Sequence, residues 1–259
     1  MSRLQELFQK KKERVLNVYC TAGYPQLEST VPVMNALQDA GADIIELGIP
    51  YSDPLADGPV IQASGSTALA NGMTIATLFA QLQNFRNTIN IPVVLMGYMN
   101  PVLQYGFERF CADAERAGVD GLILPDLPMY EYEKEYAATI KKHHLDFIFL
   151  VTPETSEERI KKLDALSTGF LYAVSSSSTT GLDKDFSVTE GYLQKLQALS
   201  LSNPVLVGFG IKDKASFDTA CRFANGAIIG SAYIKALGDG TNIAEKTATF
   251  INNVLMEKV

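Results

Sequence analysis

Eight short apolar runs are spread along the 259-residue chain, and they constrain its fold more than any other feature. Each run is rich in Val, Ile, Leu or aromatic residues and is bounded by Gly, Pro or polar residues, which is typical of strands buried in a parallel sheet. The runs are Val15–Cys20, Asp43–Gly48, Pro92–Met96, Gly121–Leu124, Phe147–Val151, Phe170–Val174, Val205–Gly208 and Ala227–Gly230.

Longer segments with helical spacing separate the apolar runs. Several of them end at glycine, as Leu27–Ala40 does at Gly41 and Phe107–Ala117 does at Gly118, which suits the C-terminal cap of a helix. The others include Glu131–Lys142, Ser156–Leu166, Gly191–Leu199 and Ala215–Phe223. A short amphipathic helix is also expected before the first strand.

Strand and helix alternate eight times over roughly 250 residues, and this predicts an α/β fold of the (β/α)8 TIM-barrel type with an extra N-terminal helix. No linker or shift of composition divides the chain, so we expect residues 1–259 to form a single TIM-barrel domain. An open doubly wound sheet would usually show a G-x-G-x-x-G turn after its first strand, and the segment Thr21–Pro25 does not match that motif.

Composition excludes several classes of function. The net charge is −7 with acidic and basic residues interspersed, which argues against nucleic acid as a partner because phosphate binding needs a basic face.

No apolar run is long enough to cross a membrane, and the N-terminus shows no secretory signal. The widely spaced Cys20, Cys111 and Cys221 are interpreted as reduced thiols of a cytoplasmic protein. Because the two histidines are the neighbours His143 and His144, we expect no metal site.

A carboxylate lies near the C-terminal end of the second apolar run. This residue is Glu46, and Asp53 and Asp57 follow it in a proline-containing loop. Active sites of TIM barrels lie at the C-terminal ends of the strands, so we expect Glu46 to project into the barrel mouth. No Lys or Arg occurs in any of the eight runs, which argues against an ion pair within the barrel. A partly desolvated carboxyl of this kind would have a raised pKa and could act as a general acid or base.

Glycine-rich turns follow the later strands, at Ser178–Gly181, Gly208–Ile211 and Gly226–Ser231. Backbone N–H groups can approach an anion closely at such turns, and TIM barrels often bind phosphate with the loops after the seventh and eighth strands. We interpret the turns as a phosphate site. The predicted positions of the lysines in helices and loops argue against a Schiff-base aldolase, and the position of the histidines argues against a metal-dependent one. The remaining possibility is acid–base chemistry by Glu and Asp on a phosphorylated substrate.

The segment Glu46–Gln62, with the sequence E-L-G-I-P-Y-S-D-P-L-A-D-G-P-V-I-Q, closely resembles the signature of the tryptophan synthase α subunit family. The resemblance covers essentially the whole chain and includes Met96–Pro101, Gly121–Pro128, Gly208–Gly210 and Gly230–Ser231. It implies a lyase that cleaves indole-3-glycerol phosphate to indole and glyceraldehyde 3-phosphate in the last steps of L-tryptophan biosynthesis. This retro-aldol reaction uses neither a metal nor a Schiff base.

The resemblance also implies roles for individual residues. Glu46 is expected to be the acid–base residue, Asp57 to hold the indole N–H, and Tyr172 to match the family's active-site tyrosine. The implied walls of the indole pocket are Tyr19, at a position that is usually Phe, together with Met96, Ile123 and Phe209. The implied phosphate contacts, mostly through backbone N–H groups, are Gly181, Gly210, Gly230 and Ser231.

The cleavage reaction implied by the resemblance needs two carboxyl groups. The bond to indole C3 can break only after that carbon is protonated, and the positive charge then spreads to the ring nitrogen. One carboxyl must therefore deliver a proton, and a second must stabilise the ring N–H. The hydroxyl next to the broken bond must also lose its proton. The sequence leaves open which group removes it, and Glu46 is a candidate once it has donated its first proton.

Two loops are expected to act as lids that exclude water and retain indole, namely Asp53–Gly58 and Ser175–Ser187. The resemblance implies that Thr180 of the second loop contacts the loop aspartate. The run Ser175–Ser178 stands where many relatives carry an Arg and a Gly, so the resemblance does not extend to a lid contact made by that arginine. Thr180 and Gly181 are retained.

The resemblance implies a partner, a β subunit that carries pyridoxal phosphate and forms an α2β2 tetramer with this chain, which itself holds no cofactor. The implied docking residues are Pro50, Asp53, Pro54 and Asn100. Two alternatives are a stand-alone lyase that releases free indole and a non-catalytic activator of the β subunit. Retention of both Glu46 and Asp57 argues against the activator, because scaffolding needs neither. A further alternative is another enzyme of the same fold, such as a phosphosugar isomerase or an enzyme similar to indoleglycerol-phosphate synthase. The latter would need catalytic lysines on the strands, and the eight runs contain none.

Overall fold

The structure, a computed structural model, describes residues 1–174, 186–208 and 210–256. Within these ranges nine short parallel strands pair in the order β5-β4-β3-β2-β1-β9-β8-β7-β6. Their bounds are β1 Val15–Thr21, β2 Ile44–Gly48, β3 Val93–Met96, β4 Gly121–Ile123, β5 Asp146–Phe147, β6 Leu150–Val151, β7 Leu171–Val174, β8 Val205–Gly208 and β9 Gly226–Ile229.

The sheet closes on itself through β5 and β6. These two strands lie at opposite ends of the pairing order, yet only Ile148 and Phe149 separate them along the chain. The N–H of Ile148 donates to the carbonyl of Leu122 (3.0 Å), and the carbonyl of Phe149 accepts from the N–H of Tyr172 (3.0 Å). The segment therefore bonds to both of its neighbours and counts as one barrel strand, so the predicted eight-stranded TIM barrel is confirmed.

Helices connect the strands in chain order. Their bounds are α1 Arg3–Lys10, α2 Thr30–Ala40, α3 Pro59–Ala70, α4 Ile75–Gln81, α5 Met99–Tyr105, α6 Phe107–Ala117, α7 Met129–Glu131, α8 Ala137–Lys142, α9 Glu157–Leu166, α10 Phe186–Ala198, α11 Lys214–Cys221, α12 Ser231–Leu237 and α13 Ile243–Leu255. The segment Tyr132–Tyr136 between α7 and α8 is a π-helical turn. Gly41 and Gly118 adopt the left-handed conformation directly after α2 and α6, as the sequence predicts.

The extra N-terminal helix predicted from the sequence is α1, and it closes the end of the barrel where the strands begin. A capping box between Ser2 and Gln5 starts this helix. Its side chains Leu4 and Phe8 are buried in the cluster that fills the barrel interior, and the Phe8 ring lies 6.3 Å from that of Phe170. The C-terminal ends of the strands lie at the opposite end.

No helix in the described ranges is long and apolar enough to cross a membrane.

Candidate active site

Glu46 lies inside the barrel on β2. Side chains alternate between the two faces of a strand, so Glu46 shares the inner face with Ile44, while Ile45 and Leu47 belong to the cluster beneath the helices. Its side chain is only 1% exposed. Within the described residues no cation pairs with Glu46, and its hydrogen-bond partner is Asn17, whose Nδ2 donates to Oε2 at 2.9 Å.

The environment of Glu46 favours its protonated form. Burial raises the pKa of this carboxyl to about 8, the hydrogen bond from Asn17 opposes the shift, and the negative charge of Asp57 adds to it. At neutral pH the carboxyl therefore carries a proton in most molecules.

Asp57 lies in the loop between β2 and α3. The hydroxyl of Tyr98 accepts a hydrogen bond from the Ala56 N–H (3.1 Å), and Gln62 Nε2 donates to the Asp57 carbonyl (2.8 Å), so both sides of the aspartate are held. Burial raises the pKa of the Asp57 carboxyl to about 6, and its hydrogen bond with Tyr98 opposes the shift. This carboxyl is mostly ionised at neutral pH, in contrast with that of Glu46.

Two buried tyrosines flank the carboxyls. Tyr19 on β1 and Tyr172 on β7 both belong to the inner face, and their rings occupy the space in which a Cβ on Gly48 or Gly208 would lie. Glycine is therefore required at the ends of β2 and β8. Burial raises the pKa of both phenols well above the ordinary value, and the nearby carboxylates raise it further. Both hydroxyls are uncharged.

The other predicted pocket residues are divided between the described and undescribed parts of the chain. Ile123 at the end of β4 is buried in the cluster that fills the barrel interior, and Met96 at the end of β3 packs against that cluster. Phe209 lies outside the described residues. The structure thus brings Tyr19, Met96 and Ile123 onto the same inner surface as Glu46.

Three of the four predicted phosphate residues follow the ends of β8 and β9. Gly210 is exposed with φ +77°, and the space where its Cβ would be is empty. Gly230 directly precedes α12, Ser231 is the first residue of that helix, and a Cβ on Gly230 would lie 3.5 Å from Cβ of Tyr19. The backbone at Gly230 is therefore next to the tyrosine of the predicted indole pocket. Thr180, Gly181 and the run Ser175–Ser178 lie outside the described residues.

The four predicted docking residues lie beside the mouth, in the loop after β2 and at the start of α5. Asp53 and Asn100 are exposed, and Pro50 and Pro54 are half-buried. Nδ2 of Asn100 donates to the Tyr51 hydroxyl at 2.9 Å, which joins the two segments.

Sequence reasoning missed two residues of this site, Asn17 and Tyr98. Asn17 is a polar residue within a buried run, the same signal that identified Glu46. Tyr98 lies within the Met96–Pro101 motif, but its contact with the loop of Asp57 depends on the fold.

Comparison with known proteins extends the sequence resemblance. The sequence model of the family described as "Tryptophan synthase alpha chain" matches residues 4–258. The chain belongs to the tryptophan synthase α chain family.

Relatives and solved structures agree with this assignment. The tryptophan synthase alpha chain of Parabacteroides distasonis is 50% identical over 246 residues, which cover 95% of this chain and 96% of that one. That of Flavobacterium johnsoniae is 50% identical over 240 residues, covering 92% and 94%. The crystal structure of tryptophan synthase subunit alpha from Legionella pneumophila has a TM-score of 0.89 at 35% identity, covering 98% of this chain and 97% of that one.

Family membership establishes the activity. The chain is a lyase of tryptophan biosynthesis that cleaves indole-3-glycerol phosphate. The role of an α subunit is supported over the stand-alone lyase and over the non-catalytic activator.

Proposed function

We propose that Glu46 and Asp57 perform the proton chemistry of indole-3-glycerol phosphate cleavage. The observation that carries the proposal is the difference between two neighbouring carboxyls, whose pKa values are about 8 and about 6. At neutral pH Glu46 holds a proton to give, whereas Asp57 is an anion that can accept the indole N–H. Environments that separate the pKa values of two carboxyls are a common basis for assigning the acid and the anion of an active site.

The steps balance with these two groups. Glu46 donates its proton to indole C3, and the Asp57 carboxylate stabilises the N–H as positive charge reaches the ring nitrogen. The Glu46 carboxylate then removes the proton from the substrate hydroxyl next to the C–C bond. That bond breaks, its electron pair returns to the indole ring, and a carbonyl forms on the released glyceraldehyde 3-phosphate. Glu46 ends the cycle protonated, as it began.

The remaining pocket residues bind and enclose the substrate. Neutral Tyr172 and Tyr19 pack on the indole with Met96, Ile123 and Phe209. The phosphate is held by Gly181, Gly210, Gly230 and Ser231, and Thr180 closes over Asp57. Because the two tyrosines are uncharged, stabilisation of the positive charge on the ring nitrogen is assigned to the Asp57 carboxylate and not to a phenolate.

The substitution Glu46→Gln tests the acid–base role. We expect indole release to fall at least about 100-fold while the fold and the binding of glycerol phosphate are retained, because the amide keeps the shape but its protons are not acidic. Glu28→Gln, at an exposed carboxylate of the turn Leu27–Ser29, is the matched control and should leave the rate unchanged. Release close to the wild-type rate in Glu46→Gln would refute the assignment.

We also propose that a β subunit with bound pyridoxal phosphate docks on Pro50, Asp53, Pro54 and Asn100 in a cytoplasmic α2β2 complex. The position of these residues supports this, because they adjoin the loop that carries Asp57. Leu55 in the same loop is 90% exposed, as expected of an apolar residue that a partner covers. Docking there could steady the loop and accelerate cleavage. No cofactor is proposed for this chain.

Docking is tested by measuring indole release with and without the β subunit. We expect the partner to raise the rate of the wild-type chain. We expect Asn100→Ala to weaken the complex by about fivefold to tenfold, the loss found for the minority of interface side chains that contribute strongly to binding. The matched control is Asn90→Ala. Asn90 is an exposed asparagine that precedes β3, so it lies at the end of the barrel opposite the mouth. Equal affinities in the two variants would exclude the proposed surface.

A further inference from the structure

Asn17 is a fully buried polar residue inside the barrel, on β1. In the strand pairing it lies opposite Ile44 of β2 and Ile228 of β9, so its neighbours on both sides are apolar. Its Nδ2 donates to Glu46 Oε2 at 2.9 Å, and its Oδ1 has no hydrogen-bond partner within the described residues.

Packing alone does not explain an amide at this position. A buried polar atom without a partner lowers the stability of the folded state, whereas an apolar side chain of the same shape would carry no such cost. The contact with Glu46 is the feature that sets this amide apart from an apolar side chain. We therefore look to the function of Glu46 to explain why an amide lies at this position.

An amide suits a carboxyl that changes its protonation state. An ionised carboxylate only accepts hydrogen bonds, whereas a protonated carboxyl also donates one. The NH2 end of Asn17 serves the ionised form, and a half-turn of the amide would present its oxygen to the proton of the neutral form. A lysine or arginine would instead hold the carboxyl ionised, and an apolar residue would leave it without a fixed orientation.

We propose that Asn17 is a positioning residue for the cleavage reaction, which holds the Glu46 carboxyl in one orientation in both of its protonation states. The inference rests on the acid–base role of Glu46 proposed above. It assigns the unpartnered Oδ1 a purpose, because this atom becomes the acceptor when the amide turns. The hydrogen bond to the ionised form also limits the rise that burial imposes on the pKa of Glu46.

Other titratable groups lie close to Glu46, and the test does not alter them. Within the described residues they are Asp57 from the loop after β2, Tyr19 and Cys20 from β1, and Tyr172 from β7. A change at Asn17 leaves all four in place, so a shift in the titration of Glu46 can be attributed to the lost amide.

The test is Asn17→Leu, which keeps the number of heavy atoms and the branch at Cγ but removes both hydrogen-bonding groups. We expect kcat for indole release to fall about tenfold, which is less than the loss on removing the general acid itself. KM for indole-3-glycerol phosphate should change less than about twofold, because the amide touches the acid rather than the substrate. The alkaline limb of the kcat profile should move up by about one pH unit, since the ionised form has lost its donor.

Infrared difference spectroscopy provides a direct reading of Glu46. Its protonated C=O band, assigned by its absence in Glu46→Gln, should persist to higher pH in Asn17→Leu than in the wild type. Asn17→Asp, which keeps the shape but loses the N–H donor and adds a like charge, should move the band further in the same direction. Ile44→Val, which removes one buried methyl group opposite Asn17, controls for packing and should leave the band and the kcat profile unchanged.

The outcomes separate this inference from the assignment of Glu46. Loss of thermal stability in Asn17→Leu without a shift of the band or of the pH profile would make Asn17 structural and overturn the proposal. If Glu46→Gln is inactive while Asn17→Leu behaves as the wild type, only the positioning role fails. If Glu46→Gln keeps its activity, the acid–base role of Glu46 fails, and the role of Asn17 fails with it.

Discussion

At the scale of single residues, the two carboxyls at positions 46 and 57 are in different environments and have different protonation states. Glu46 lies on the inner face of a strand, where a single neutral amide hydrogen-bonds to it within the described residues. Asp57 lies in a loop, next to the hydroxyl of Tyr98. The sequence is sufficient to identify Glu46, because a carboxylate within a buried run is conspicuous. It does not reveal Asn17 as the partner of Glu46, because that pairing depends on the alignment of two strands.

The pH dependence of indole release follows from these two groups. Release should require Asp57 ionised and Glu46 protonated, so kcat/KM should rise with pH through about 6 and fall through about 8. The substrate phosphate also ionises near pH 6. In Asp57→Asn the rise of kcat/KM on the acid side of the profile should therefore become shallower. It should not vanish, because the substrate phosphate still ionises in this range. A rate that stays constant from neutral pH to well above pH 8 would contradict the role of Glu46 as the acid.

At the scale of elements, glycines at strand ends make room for the aromatic rings of the neighbouring strands. Gly48 ends β2 beneath the ring of Tyr19, and Gly208 ends β8 beneath that of Tyr172. The apolar runs predict where strands lie, because burial on both faces leaves a clear pattern. They do not show the interruption at Ile148 and Phe149 within the fifth run, because an apolar run records burial and not backbone hydrogen bonding.

The substitution Gly48→Ala should displace the ring of Tyr19, because the new Cβ would overlap it. We expect a loss of about 1–3 kcal/mol in the free energy of unfolding, as for overpacked cores, together with slower indole release. Denaturant unfolding and a kinetic assay measure the two effects. Gly191→Ala is the control, since that glycine is exposed on α10 with free space around it and should gain about 0.5–1 kcal/mol. A fully active and equally stable Gly48→Ala chain would contradict the packing described.

At the scale of the whole molecule, the barrel has one end closed by α1 and one end that carries the candidate site. The alternation of eight strands with helices predicts this architecture, since few folds repeat the unit so often. The sequence alone does not show how α1 is fixed. Asp120 before β4 accepts from Arg3 of α1 (2.9 Å) and also binds Arg86 and the Val93 N–H (2.7 Å), so one buried carboxylate joins three parts of the chain.

The substitution Leu4→Ala should destabilise the barrel without changing its chemistry. Leu4 is fully buried beneath the barrel, and its truncation should lower the free energy of unfolding by about 2–5 kcal/mol. Indole release by the folded protein should stay within about twofold of the wild type, because the site is at the other end. Leu55→Ala is the control for stability, since an exposed leucine should change it by less than about 0.5 kcal/mol. An equally stable Leu4→Ala chain would show that α1 does not close the barrel.

The helix α1 and its ion pair with Asp120 have a consequence for how such a chain can diverge among organisms. Thermal adaptation can proceed by exchanging side chains at the closed end, where Leu4, Phe8 and the Arg3–Asp120 ion pair lie. None of these changes would touch the groups that handle protons. Thermal stability and catalytic chemistry can therefore change through separate sets of mutations. A lineage that moves to a hotter or colder habitat can adjust the stability of this barrel while its active-site residues stay the same.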